Sequence, residues 1–166
     1  GELLVHFQKM AETEGTPKLL ANLTALQIRI GLYMGKTAEA VEWLELAPNE
    51  ELEFSTMERF RYLTKVRVYL LMGKYEKAIT LLQRIQYYAE IMHRTYITME
   101  ANLLLAITQY RMGNEKWKET LQEMLTQAEE YHFVRLVSRE GAAVNKMLKE
   151  LDWEGKNISY KQAFMT

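Results

Sequence analysis

The stretch Tyr69-Leu70-Leu71-Met72-Gly73-Lys74-Tyr75-Glu76-Lys77-Ala78-Ile79 decides the fold. A helix-length apolar segment runs into Met-Gly-Lys, and a second segment starts at once with an aromatic residue and then a small one. Glycine accepts the left-handed backbone that ends a helix. A small residue one turn into the next helix lets the two pack closely. The stretch therefore reads as a tight helical hairpin. The same punctuation occurs at Tyr33-Met34-Gly35-Lys36 and at Arg111-Met112-Gly113-Asn114, with the glycines 38 and 40 residues apart. A fixed period of this size marks a repeat array, in which each helix pair buries its apolar face on the next. Ala40 and Ala78 stand five positions after their glycines, where the third copy has Lys118. A two-residue insertion after Gly113 restores the alignment and matches Trp117 to Tyr75 and Thr120 to Ala78. Met34, Met72 and Met112 are expected to fill the irregular gap at each hairpin.

Other boundaries follow from capping chemistry. Thr16-Pro17 reads as an N-cap with Pro at the first helical position, after Gly15 as a C-cap. Pro48-Asn49 ends a helix, and Ser55-Thr56-Met57-Glu58 fits a capping box. These signals predict helices over 2–13, 17–34, 36–47, 55–72, 74–92, 95–112, 115–130 and 133–151. They form one helical repeat domain over 1–151, about three to four helix pairs with the first and last incomplete. Residues 152–166 form a tail that could begin a further helix at Tyr160. Along 55–72, Phe60, Leu63, Val66 and Leu70 make an apolar stripe widened by Tyr62 and Tyr69, with Arg61, Thr64 and Lys65 opposite. Leu103, Ala106 and Tyr110 repeat the theme on 95–112.

Composition excludes several classes. The chain of 166 residues has 48% hydrophobic and 26% charged residues and a formal net charge of -1. That balance offers no basic footprint for nucleic acid or an anionic membrane. It has no cysteine, which removes disulfides, thiolate metal sites and cysteine nucleophiles. The longest apolar run, around Leu103 to Ile107, is far short of the roughly 20 residues that span a bilayer. The chain does not start with Met, and it reads as a piece of a longer protein with Gly1 as a cloning remnant.

A helix, a Gly-Lys or Gly-Asn turn, an aromatic (Tyr75, Trp117) and then Ala at repeat spacing resembles the tetratricopeptide pattern, in a form longer than the usual period of about 34. With Tyr69 to Ile79 and the run Gln86-Tyr87-Tyr88-Ala89-Glu90, residues 17–151 resemble the helical repeats of LuxR-family regulators of the maltose-activator type. The resemblance implies an all-α fold of tetratricopeptide-like antiparallel helix pairs stacked in a right-handed superhelix. It implies a cytoplasmic, non-catalytic region that senses a small-molecule inducer, a protein or a peptide and signals to other modules of the same chain. In that family an ATP-binding module precedes the repeats and a helix-turn-helix follows. Neither occurs in these residues, so no cofactor, no nucleic-acid contact and no membrane are expected for them.

Motifs that suggest chemistry have plainer readings. Gly31-Leu32-Tyr33-Met34-Gly35-Lys36-Thr37 imitates a phosphate loop, but only three residues separate its glycines and it ends a helix rather than following a strand. His6, His93 and His132 form no paired-ligand motif, so no metal is expected. Glu12, Glu14, Glu50 and Glu51 read as solvated carboxylates with no acid–base partner. The triplets Asn22-Leu23-Thr24 and Asn157-Ile158-Ser159 match a glycosylation acceptor without any secretion signal.

The candidate site comes from repeat register. In a superhelix of this kind the first helix of each pair lines the concave groove. Aligning on Gly35, Gly73 and Gly113 makes Arg29 and Arg67 equivalent, with Ile107 third. Asn22 and Tyr33, Phe60 and Leu71, and Glu100 and Arg111 fall on the same strip. Arg29 lies between Ala25 and Leu32, and Arg67 between Leu63 and Leu70. Such an arginine packs its stem and presents a fork to a carboxylate, phosphate or hydroxyl. A salt bridge to a neighbouring glutamate explains the same residues equally well. Arg135, Arg139 and Asn145 are candidates to continue the groove. A protein–protein scaffold unrelated to any regulator is the competing functional reading.

Overall fold

The computed structural model describes residue 9 and residues 17–51, 54–55, 58–131 and 134–151. Among the described residues there are eight α-helices and no strand: α1 (Pro17–Tyr33), α2 (Ala38–Trp43), α3 (Arg59–Leu71), α4 (Tyr75–Ile91), α5 (Thr95–Arg111), α6 (Trp117–Glu130), α7 (Val134–Ser138) and α8 (Gly141–Glu150). This is the all-α helical-repeat class that the turns imply. The chain divides into two compact units, Gly1–Leu81 and Leu82–Thr166, with the division inside α4. The expected helix over 2–13, the Gly15-Thr16 boundary, His6, His132, Glu12, Glu14, Asn157 to Ser159 and the tail over 152–166 lie outside the described residues.

Each predicted glycine turn has one hydrogen-bond pattern. The Lys36 N–H donates to the Gly31 carbonyl at 2.8 Å and the Gly35 N–H to Leu32 at 3.1 Å. Lys74 and Gly73 repeat this onto Tyr69 and Leu70, and Asn114 and Gly113 onto Gln109 and Tyr110. This paired closure satisfies carbonyls that a helix end would leave orphaned. It requires a left-handed residue, and Gly35, Gly73 and Gly113 have φ of 76°, 69° and 71°. A fourth turn of the same kind joins α4 to α5. There Arg94 donates to Ala89, His93 donates to Glu90, and His93 takes φ 52° without being glycine. Sequence signals place a helix boundary at 92–95 but give no sign of this backbone. The turn methionines do not fill a gap: Met34, Met72 and Met112 are exposed by 66, 37 and 45%. Each occupies the last position before the left-handed glycine.

In the first unit, Ala25, Ala40, Trp43 and Val68 form a buried cluster, with Ile28, Leu32 and Phe60 packed against it. Ala40, the small residue that the repeat pattern anticipates one turn into the second helix, is fully buried in this cluster. The helix expected over 36–47 ends at Trp43, and its last residues continue as tight turns, with Leu46 N–H on Trp43 and Ala47 N–H on Leu44. Of the expected capping box, Thr56 and Met57 lie outside the described residues, and α3 begins at Arg59. Its N-cap is Glu58, without a side-chain cap, and the Glu58 carboxylate pairs instead with Arg61 one turn on.

The polar side assigned to α3 is a second correction. Thr64 is fully buried and Lys65 nearly so, because this helix is covered on almost every side from Tyr62 to Leu70. Thr64 donates to the Phe60 carbonyl at 3.0 Å. The Lys65 ammonium donates to the Pro48 carbonyl at 3.0 Å and pairs with Glu50, whose other oxygen accepts from the Tyr69 hydroxyl at 3.0 Å. Glu50 is therefore a buried anchor of the α2–α3 loop and not a solvated carboxylate. Burial pushes its carboxyl up, but the hydrogen bond from Lys65, a backbone hydrogen bond, the Lys65 charge and the Tyr69 hydroxyl together hold it below the ordinary value. Burial and the Glu50 charge push the Tyr69 hydroxyl well above its ordinary range.

In the second unit α5 is the central helix, buried from Met99 through Thr108 on more than one face. Trp117 and Tyr75 each open their helix, as the inferred insertion requires. The extra residues form a short turn in which Lys116 N–H bonds the Asn114 side chain at 3.1 Å. Trp117 meets Tyr110 edge to face at 5.2 Å, and the Tyr110 hydroxyl donates to Glu150 at 2.8 Å, tying α8 to α5. The single helix expected over 133–151 is two helices, broken at Arg139-Glu140, with Gly141 at φ 49°.

Candidate functional site

The first two strips of the repeat register meet on α1 and α3. The Arg29 guanidinium lies 4.5 Å from the Phe60 ring centre, and the Arg67 guanidinium lies 5.6 Å from the Tyr33 ring centre. The pairings 29–60 and 33–67 advance together along both helices, so α1 and α3 run parallel, as first helices of successive repeats do. Each helix supplies one arginine and one aromatic ring. Phe60 is fixed by the cluster around Trp43, which locates Arg29 above it. Tyr33 sits at the exposed end of α1, beside the glycine turn.

A guanidinium over a ring is held by the ring's negative face. Stacking engages its face and hydrogen bonding its edge, so one arginine can do both at once. The arrangement thus fixes the orientation of two planar forks, both half-buried, with Arg29 Nε and Nη2 and Arg67 Nε shielded from solvent. Sequence reasoning placed these four residues on one strip but did not foresee that arginine and aromatic pair crosswise between repeats. The signal was available: Arg29 and Tyr33 are four apart, and Phe60 and Arg67 are seven apart, so each pair shares a helix face.

The other strip residues are placed differently. Asn22 is exposed on α1, and Leu71 is exposed at the end of α3. Arg111 is exposed in the last turn of α5. Glu100 is only 5% exposed, so its carboxylate lies inside the second unit and offers little surface to a groove ligand. Its register partners are Phe60, which packs on the first-unit cluster, and Asn22, which is exposed, so depth at this position differs between repeats. Arg135, Arg139 and Asn145 are exposed on and beside α7 and α8.

No group of three or more His, Asp or Glu side chains among the described residues is arranged to hold a metal ion. Among those residues no helix is long and apolar enough to cross a membrane. Asn22-Leu23-Thr24 is helical, with the Thr24 hydroxyl bonded to the Leu20 carbonyl at 3.0 Å. Gly31 to Lys36 closes a helix by the turn bonds described above, which leaves no loop of amides to wrap a phosphate.

The protein family described as the MalT-like TPR region matches residues 2–154, nearly the whole chain. No curated protein and no solved structure matches it.

Proposed function

We propose a sensing role for a chain that belongs to the family of MalT-like TPR regions. In this reading it is the ligand- or partner-sensing region of a cytoplasmic bacterial transcriptional regulator of the LuxR type, and it performs no catalysis. It binds an inducer, protein or peptide on the face formed by its first helices and passes the signal to other modules of the same protein. The observation that carries the reading is the crosswise pairing of Arg29 with Phe60 and Arg67 with Tyr33. Two oriented guanidinium groups on one helical face suit a ligand with carboxylate, phosphate or hydroxyl groups. Binding transmits a signal only through different affinity for two arrangements of the chain.

A thermal-shift screen with sugars, metabolites and peptides tests the class of ligand. At least one small molecule is expected to raise the melting temperature. A screen in which only a partner peptide does so overturns inducer sensing in favour of an interaction scaffold. Replacing Arg29 and Arg67 by Ala is expected to weaken binding at least tenfold, about 1.4 kcal/mol or more, with the helical circular-dichroism spectrum unchanged. Lys at both positions should not restore binding, since an ammonium lacks the planar fork. Unaltered affinity in the double Ala variant would refute the assignment of this face.

A further inference from the structure

An open surface cavity of about 280 Å³ lies at the α4–α5 turn within the second unit and shares no residue with the proposed sensing face; Glu90, His93, Arg94, Glu130 and Tyr131 on its lining are exposed. Three helix ends line it: the C-terminal ends of α4 and α6 and the N-terminal end of α5. The first two bring Glu90 and Glu130, and neither helix has a basic residue in its last turn. Carboxylates at helix C-termini stand against the helix dipole, a placement that stability alone disfavours. The third end brings Arg94, the N-cap of α5, whose side chain makes no capping hydrogen bond to the first turn.

Opposite charges therefore share one cavity, yet among the described residues no ion pair joins Arg94 to Glu90 or Glu130. Two further features point inward. The Gln127 side-chain carbonyl oxygen is buried on this cavity with no hydrogen-bond partner among the described residues. A buried acceptor of that kind is uncommon unless a ligand or water completes it. His93, on the same lining, holds the left-handed backbone that the three equivalent turns give to glycine. Backbone strain of this sort collects at ligand sites.

We propose that this cavity binds a compact zwitterion of the α-amino acid class. Its ammonium group meets Glu90, Glu130 and the Gln127 carbonyl. Its carboxylate meets Arg94 and the amide-rich first turn of α5, where the helix dipole favours an anion. At about 280 Å³ the cavity falls just below the range of drug-sized ligand pockets, which starts at roughly 300 Å³, so only a compact ligand suits it. A single amino acid suits that space better than a peptide or a nucleotide does.

Isothermal titration calorimetry of the chain against the twenty standard free amino acids tests this. At least one is expected to bind, and its N-acetyl and methyl-ester forms, each lacking one charge, are expected to bind at least tenfold more weakly. Arg94→Gln and Glu130→Gln should each lose at least tenfold in affinity while keeping the parent helical spectrum. Should neither substitution fold, competition between the amino acid and its two blocked forms on the parent chain decides the matter. Absence of binding by every amino acid overturns the proposal. So does equal binding of a blocked form, or parent affinity in a folded Arg94→Gln or Glu130→Gln chain.

Discussion

Gly73 and His93 hold nearly the same backbone conformation with opposite energetic consequences. A left-handed residue other than glycine costs roughly 1–2 kcal/mol. A methyl group added at Gly73 would meet nothing within 4 Å, so the cost of Gly73→Ala is conformational alone and should be about 1 kcal/mol. His93→Gly removes the same strain and should stabilise by up to about 1 kcal/mol, reduced by the greater freedom of glycine in the unfolded chain. Urea denaturation of the two variants should therefore give shifts of opposite sign. A loss of stability in both would mean that His93 makes a contact worth more than its strain. The glycine turns are legible in sequence because glycine is itself the signal. The His93 turn is not, since its side chain carries no such preference and only the flanking Met92 and Arg94 echo Met72 and Lys74.

At the scale of elements, α3 shows where a helical wheel stops being informative. Its apolar stripe is plain, but a stripe reading assumes one buried face and one wet one. A helix in the middle of a repeat array is covered on several sides, and its polar residues must then find partners within the protein. Lys65 finds Glu50, 15 residues earlier and beyond any local pattern. Removing one member of a buried pair leaves the other uncompensated, so Glu50→Gln should destabilise by about 3 kcal/mol. Tyr69→Phe removes one neutral-to-charged hydrogen bond and should cost about 1.5–3 kcal/mol. The pH dependence has a definite sign. Glu50 has a folded pKa below its ordinary value of 4.5, so its contribution is present above that value and is lost as pH falls through the folded one. Denaturation midpoints measured from pH 6 down to about pH 3 should thus fall more steeply in the parent chain than in Glu50→Gln. Parallel profiles would show that the carboxylate is not held by this network. The same limit explains the break at Arg139-Glu140: the apolar pattern continues through 133–151, and only Gly141 marks the turn, at a position where glycine is also tolerated inside a helix.

For the whole molecule, the near-regular spacing of Gly35, Gly73 and Gly113 made the repeat class readable, because the turns recur in sequence as they do in space. The candidate site was readable only in part. Register puts Arg29, Tyr33, Phe60 and Arg67 together, but a register says nothing about depth, and Glu100 proves to be interior. Repeat arrays are held by neighbour-to-neighbour contacts, so their stability is close to a sum of local terms. The chain accordingly separates into two compact units rather than one closed core. That organisation predicts how damage spreads. Glu50→Gln acts in the first unit, on the loop before α3, and should lower amide hydrogen-exchange protection in α1 and α3. Protection in α5 and α6, whose core is Leu103, Leu104, Leu121 and Met124, should change by much less. A uniform loss across all four helices would mean that the chain opens as one cooperative block, and the local accounting used for the turns and for Glu50 would then have to be replaced by a global one.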